Sequence, residues 1–258
     1  MSATLQVDGP VAIVTMDRPE KRNALSVEMM ESLVIHFRDV GRRDDVAAVI
    51  LRGNGPAFCA GHDLAELLDR DIAFYRREFD LCTGVMEAMQ SIRQPVIAQV
   101  HAVATAAGCQ LVASCDLAVS SEDAWFATPG VKIGLFCTTP MVALTRSVGR
   151  KKALEMLFTG DPLTAHEALA AGLVNRVVPA SQLAEATRAL ADKIAAASPY
   201  VVALGKDAFY RQIDLPQSQA YDFAEETMAI NARAADAHEG IAAFLGKRAP
   251  DWRGIRTP

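Results

Sequence analysis

Short apolar runs at residues 5–7 and 11–16 flank the turn residues Asp8-Gly9-Pro10, a pattern that predicts a pair of strands. From Ser26 the spacing changes. Met30, Leu33, Val34 and Phe37 recur at about 3.6 residues per turn, and Ser26 stands where it can cap the helix they define. An apolar run at 47–51, bounded by Gly53-Asn54-Gly55-Pro56, reads as another strand, and a more polar helical stretch covers roughly 72–91. Pro95 introduces Val96-Ile97-Ala98-Gln99-Val100, apolar enough for a buried strand. A small-residue segment at 102–108 leads into an apolar helix near 109–114, and 117–119 reads as strand again. Repeated alternation of strand and helix argues for an α/β architecture.

After about residue 139 the pattern is mostly helical. Thr164 and Glu167 fit a capping box, and Gly172 fits the stop of the short helix that follows. Residues 173–178 read as one more strand. Pro179 and Ser181 then begin an alanine-rich helix to residue 197, and Ser198-Pro199 separates it from further helices through 245. The expected organisation is a core at 1–195 and a helical C-terminal region at 196–258, which is its own subdomain or packs on a neighbouring subunit.

Composition narrows the function classes. The chain has 258 residues, 51% hydrophobic and 22% charged, enough to bury a large core. A net charge of −5 argues against a non-specific grip on nucleic acid. The five cysteines form no CxxC pair, and an odd number suits a reduced compartment better than a disulfide framework. Residues 1–7 lack the basic and apolar regions of a signal peptide, and no apolar run reaches the ~18 residues of a membrane span. A cytoplasmic protein, with no membrane or nucleic-acid partner, is expected.

Gly53-Asn54-Gly55 begins like GxGxxG, but Phe58 ends the match, and no Walker sequence is present. The five histidines show no metal-ligand spacing, so no metal is expected. Two segments remain, at 57–64 and 104–111, where small residues read as a chain entering a helix. Small residues let a ligand approach the backbone, and helix N-termini point free N–H groups at it. Two such groups aimed at one point make an oxyanion hole. Tight helix–strand packing uses the same residues, and spacing alone does not decide between the two.

Six motifs lie in order along nearly the whole chain. Ala57-Phe58-Cys59-Ala60-Gly61-His62-Asp63-Leu64 resembles the "AFxAGxDL" signature of the enoyl-CoA hydratase/isomerase, or crotonase, superfamily. Asp17-Arg18-Pro19 with Asn23-Ala24-Leu25 resembles its "RPxxxNAL". Pro95-Val96-Ile97-Ala98 precedes the second segment, and Cys115-Asp116-Leu117 follows it. Leu157-Phe158-Thr159-Gly160 with residues 168–174, and residues 239–248, resemble "LTGxxxxAxxAxxxGLV" and "EGxxAFxxKR". The resemblance implies a crotonase-like spiral of ββα units with a helical C-terminal region, assembled as a homotrimer or homohexamer. It implies an acyl-CoA partner whose thioester carbonyl is polarised by the N–H groups of His62 and Ala107, giving an enolate-like oxyanion. Backbone groups around Ala24, Ala60, Asp63 and Leu64, with basic residues at Lys21, Arg22, Lys247 and Arg248, then hold coenzyme A, which arrives as part of the substrate with no separate cofactor.

The chain departs from the hydratase pattern at both carboxylates. In the family one glutamate lies three residues after the second oxyanion donor, where this chain has Gln110, and the other lies in a "PE" dipeptide, here Pro129-Gly130. An amide orients water but does not take its proton. Gln110 is either a helix residue satisfied by the backbone or a group that positions substrate. Weak or altered hydratase activity is expected, with a non-catalytic acyl-CoA-binding protein or a thioester hydrolase as alternatives. Restoring glutamates at both positions is expected to help more than the product of the single changes. His62 could serve as a pH-sensitive base or be structural. Cys109 and Cys137 could be nucleophiles or simply pack. Asp63, Glu66 and Asp80 read as capping or solvated residues.

Overall fold

The computed structural model describes residues 2–252. Strands β1 (Ala3–Asp8) and β2 (Val11–Met16) pair antiparallel around Gly9, whose φ of +58° is what so tight a reversal demands. Helix α1 (Val27–Gly41) opens where expected, with Ser26 Oγ accepting the Met29 N–H at 3.2 Å, and buries Met30, Leu33, Val34 and Phe37. A three-part unit then repeats. The first is β3 (Ala48–Gly53), β4 (Ala57–Cys59) and α2 (Ile72–Ser91). The second is β5 (Val96–Val100), β6 (Val103–Thr105) and α3 (Ala107–Ser114). The third is β7 (Leu117–Ser121) and β8 (Trp125–Ala127), followed by α4 (Thr138–Ser147) and α5 (Arg150–Thr159). The chain continues through β9 (Leu163–Thr164), α6 (Ala165–Ala171), β10 (Arg176–Val178) and α7 (Leu183–Ala195). It ends in α8 (Pro199–Gln212), α9 (Gln217–Ala232) and α10 (Ala235–Leu245).

The longer strand of each unit joins a six-stranded sheet ordered β1-β2-β3-β5-β7-β10, and the shorter one joins a four-stranded sheet ordered β4-β6-β8-β9. Each turn of the chain therefore adds one strand to each sheet and then a helix, which is the spiral of ββα units expected from the sequence. Both faces of the large sheet are buried. Val14, Val49, Leu51 and Ala98 face the main core, while Val11, Ile50, Ile97 and Val119 face Leu183 and Ala191 on α7. Double burial explains why β3 and β5 read as unbroken apolar runs.

The capping box at Thr164 and Glu167 is present, and Gly172 ends α6 at φ +88°. The strand expected at 173–178 contracts to β10. Leu173 and Val174 are buried ahead of it, and Asn175 brackets Ala118 through its backbone N–H and its side-chain oxygen. Helix α8 is tied to the core by a buried cation. Lys206 Nζ donates to the carbonyls of Met89 and Gln94 and to Asp116 Oδ2, at 2.8, 2.9 and 2.8 Å. Helix α9, by contrast, buries no residue.

Candidate functional site

The two small-residue segments lie side by side. β4 pairs in parallel with β6, Ala57 opposite Val103 and Cys59 opposite Ala104, and Thr105 Oγ1 donates to the Ala60 carbonyl at 3.1 Å. Glycine makes the approach this close. A Cβ on Gly108 would fall 2.1 Å from the Cys59 carbonyl oxygen. One on Gly61, at φ +98°, would fall 2.9 Å from Ala106 Cβ and 3.6 Å from Ala107 N. Packing accounts for these glycines but not for Ala106, which holds φ 51° and ψ −118° immediately before α3. A side chain in that region costs about 1–3 kcal/mol and persists only where its surroundings impose it. The bend fixes the direction of the next peptide, which carries the Ala107 N–H. Ala107 is the first residue of α3, so its N–H has no carbonyl within the helix.

The expectation that the first segment enters a helix is corrected. His62 lies in an isolated parallel bridge with Leu25. The Leu25 N–H donates to the Gly61 carbonyl at 2.7 Å and the Asp63 N–H to the Leu25 carbonyl at 3.0 Å, so the intervening His62 N–H points to the other side. Turns follow, and α2 begins only after Asp71, whose side chain caps it at 2.7 Å. The His62 N–H is thus presented by an extended strand and only the Ala107 N–H by a helix N-terminus.

Gln110 is 5% exposed, and its Oε1 has no hydrogen-bond partner in the protein, so the reading of a backbone-satisfied residue does not hold for that atom. Gly130 sits in a 3-10 turn and accepts the Leu135 N–H at 2.9 Å. A Cβ there would lie 2.4 Å from the Leu135 carbonyl oxygen and 2.9 Å from Cys137 Sγ. The expected gain from a second glutamate is therefore corrected: Gly130→Glu forces the 135–137 segment to move. Gln110→Glu with Gly130→Glu is expected to hydrate crotonyl-CoA no faster than Gln110→Glu alone and to melt lower, as steady-state rates and thermal denaturation will show.

Lys21, Arg22, Ala24, Ala60, Asp63 and Leu64 come together. Residues 18–25 form a strap beside the first segment, with the Ala60 N–H donating to the Arg22 carbonyl at 3.1 Å. Asn23, at φ 53°, pins the strap by accepting from the Arg18 N–H and donating to the carbonyls of Asn54 and Ala57. Lys21 and Arg22 are exposed on its outer side. Lys247 and Arg248 do not join them within the chain. Arg248 is clamped by Glu239 on α10, and among the described residues neither basic side chain bonds to the strap. Glu66 caps α1, its Oε2 accepting the Val27 N–H at 2.9 Å, and Asp63 lies 3.5 Å from Arg18 Nη2. Asp80 is exposed in a cleft of about 430 Å³ between α2 and α4, walled by Ile72, Tyr75, Phe79, Thr83 and Thr139.

Burial pushes the Cys109 thiol up to about 12 and raises Cys137 as well, which leaves neither activated as a nucleophile. Sequence reasoning missed Glu78. Its side chain is 1% exposed and its Oε1 lies 3.4 Å from His62 Nδ1. The signal was readable, because Glu78 interrupts the buried stripe of Cys82, Val85, Met86 and Met89 on α2. Among the described residues no three His, Cys, Asp or Glu side chains gather as metal ligands, and no helix is long and apolar enough to cross a membrane.

Residues 6–255 match the family described as Enoyl-CoA hydratase/isomerase. The chain belongs to that family. It is 47% identical over 253 residues to "Enoyl-CoA hydratase domain-containing protein 3, mitochondrial" of Rattus norvegicus, covering 98% of this chain and 84% of that one. It is 32% identical over 245 residues to 2,3-dehydroadipyl-CoA hydratase of Escherichia coli (strain K12), covering 95% of each. The crystal structure of an enoyl-CoA hydratase of Mycobacterium smegmatis has a TM-score of 0.96 at 47% identity, over 98% of this chain and 99% of that one. The crotonase-like α/β spiral is thus the fold of a hydratase-like family member. The cytoplasmic expectation is overturned, because relatives at 45% to 48% identity are named mitochondrial. The pattern at residues 1–7 spoke only to a secretory signal and carried no information about that compartment.

Proposed function

We propose that the chain binds an acyl-CoA thioester and stabilises its enolate, with weak hydration of enoyl-CoA. The observation that carries this reading is the contact between the two segments bearing the His62 and Ala107 N–H groups, with the strained Ala106 directing one of them. In this reading the thioester oxygen accepts both N–H groups, and negative charge that develops there meets donors already in place. The acyl chain runs toward the cleft between α2 and α4, and the exposed Lys21 and Arg22 face the coenzyme A phosphates. Gln110, with its unpartnered Oε1, orients the substrate or a water without moving a proton.

Calorimetry with acetyl-CoA and crotonyl-CoA tests the binding, with micromolar affinity expected. No heat or competition at millimolar ligand would refute it. Hydration of crotonyl-CoA is expected well below a kcat/KM of ~10⁴ M⁻¹s⁻¹. Acyl-CoA binding with no turnover of any thioester would favour a non-catalytic binding protein, a reading supported by the missing carboxylates at 110 and 130. We further propose assembly as a trimer or a dimer of trimers through the 196–258 region. Tyr221, Met228, Ile230 and Phe244 are exposed on helices α9 and α10, which pack only lightly on the rest of the chain. Light scattering is expected to give three or six times the chain mass, and a monomer at micromolar concentration would contradict this.

A further inference from the structure

Resting on that reading, we infer that His62 is the base that removes the α-proton of the bound thioester, held for the task by Glu78. The His62 N–H is one of the two proposed carbonyl donors, so its imidazole lies within ~7 Å of the thioester carbonyl by covalent reach alone. The side chains of His62 and Glu78 are only 10% and 1% exposed, and Nδ1 lies 3.4 Å from Oε1. Neither ring nitrogen and neither carboxylate oxygen has a hydrogen-bond partner in the protein.

A buried carboxylate with no hydrogen bonds is not held as an isolated ion. The other titratable groups around it do not supply the countercharge. Burial pushes the neighbouring Cys82 and Cys59 thiols up to about 12, so both stay neutral, and Asp63 is engaged by Arg18. His62 and Glu78 therefore share one proton. Glu78 faces Nδ1, which leaves Nε2 as the nitrogen free to act, the arrangement of a base oriented by a third group. Phe79 meets the imidazole edge-on at 5.4 Å between centroids and also walls the cleft between α2 and α4. Only that one ring stands between the base and the space proposed for the acyl chain.

In the step, the α C–H bond breaks and its proton goes to Nε2. Its electron pair forms the enolate C=C, and the charge rests on the oxygen held by the His62 and Ala107 N–H groups. The Glu78 carboxylate balances the imidazolium, and return of the proton regenerates the thioester. Butyryl-CoA in deuterium oxide reads this step without any hydration, because exchange of the imidazolium proton with solvent places deuterium at the α carbon. Proton NMR is expected to show wild-type exchange above the buffer rate. His62→Gln, which keeps the backbone N–H, is expected to lower it by ~10²–10⁴-fold while calorimetric affinity for butyryl-CoA holds. Glu78→Gln, close in shape, is expected to lower exchange by a smaller factor, again without loss of affinity, and decides the test should His62→Gln fail to fold. Wild-type protein that binds butyryl-CoA without exchanging it would overturn the assignment and leave the binding reading standing. Exchange at the wild-type rate in either variant would overturn it too. Wild-type protein that binds no butyryl-CoA would sink the acyl-CoA reading, and this assignment with it.

Discussion

Asp116→Ala is expected to lower stability by about 3–5 kcal/mol, the range for removing one partner of a buried ion pair. Asp116 is the common acceptor for three elements. Its Oδ2 takes the Val96 N–H at the start of β5 and the ammonium of Lys206 on α8, and its Oδ1 takes the Tyr210 hydroxyl, also on α8. Burial pulls the Lys206 ammonium below its ordinary value, and Asp116 is the group that opposes the pull. Without the carboxylate that ammonium keeps two carbonyls but no countercharge. In a chain of this length each kcal/mol moves Tm by about 2–4 °C, so melting is expected to fall by about 10 °C. Lys206→Met is expected to cost less, about 1–3 kcal/mol, because Asp116 keeps two donors and the methionine keeps much of the buried stem. Equal losses in the two variants, by thermal and denaturant unfolding, would show that Asp116 is not the centre of the network. The cavity of about 600 Å³ beside it is lined by Leu190, Ile194, Val202 and Phe209, with Lys206 already engaged by three acceptors.

Gly108→Val is expected to abolish acyl-CoA binding at concentrations that saturate the wild type. The added Cβ would fall 2.1 Å from the Cys59 carbonyl oxygen and 2.8 Å from its carbon, both backbone atoms with no rotamer to escape into. Helix α3 must move away from β4, and the Ala107 N–H moves with it relative to the His62 N–H. A shift of about 1 Å is enough to cost ~10²-fold where two donors must converge on one oxygen. Overpacking adds a stability loss of about 1–3 kcal/mol or more. Calorimetry with acetyl-CoA separates the two effects in protein that circular dichroism shows to be folded. Unchanged affinity in folded Gly108→Val would mean that the two segments do not act together.

Much of the spiral was legible because its larger parts obey simple periodicities. The bounds expected for α2, at 72–91, and for β5, at 96–100, are those found. Strands β4, β6 and β8 were not legible. Three residues give no periodicity to read, and Val103-Ala104-Thr105 is a strand only because it lies between β4 and β8. The site was legible through its small residues, but their geometry was not. Gly61 and Gly108 announce close approach, whereas only coordinates show that His62 sits in a bridge with Leu25 and that Ala106 carries the strain. Gly130 marked a missing carboxylate in the sequence, and the structure adds that Leu135 and Cys137 have taken the space a side chain would need. Glu78 needed a different question: why a charged residue interrupts a buried stripe sixteen positions after His62.

The central claim is that the N–H groups of His62 and Ala107 hold one thioester oxygen. Isotope-edited infrared spectroscopy of [1-¹³C]acetyl-CoA reads that oxygen directly, because donated hydrogen bonds weaken the C=O bond. The carbonyl band is expected to move to lower wavenumber on binding to the wild-type protein, by the same amount in Gln110→Ala, where the hole is intact. A bound thioester whose carbonyl absorbs where it does in water, or lower only in proportion to a single hydrogen bond, would contradict the account.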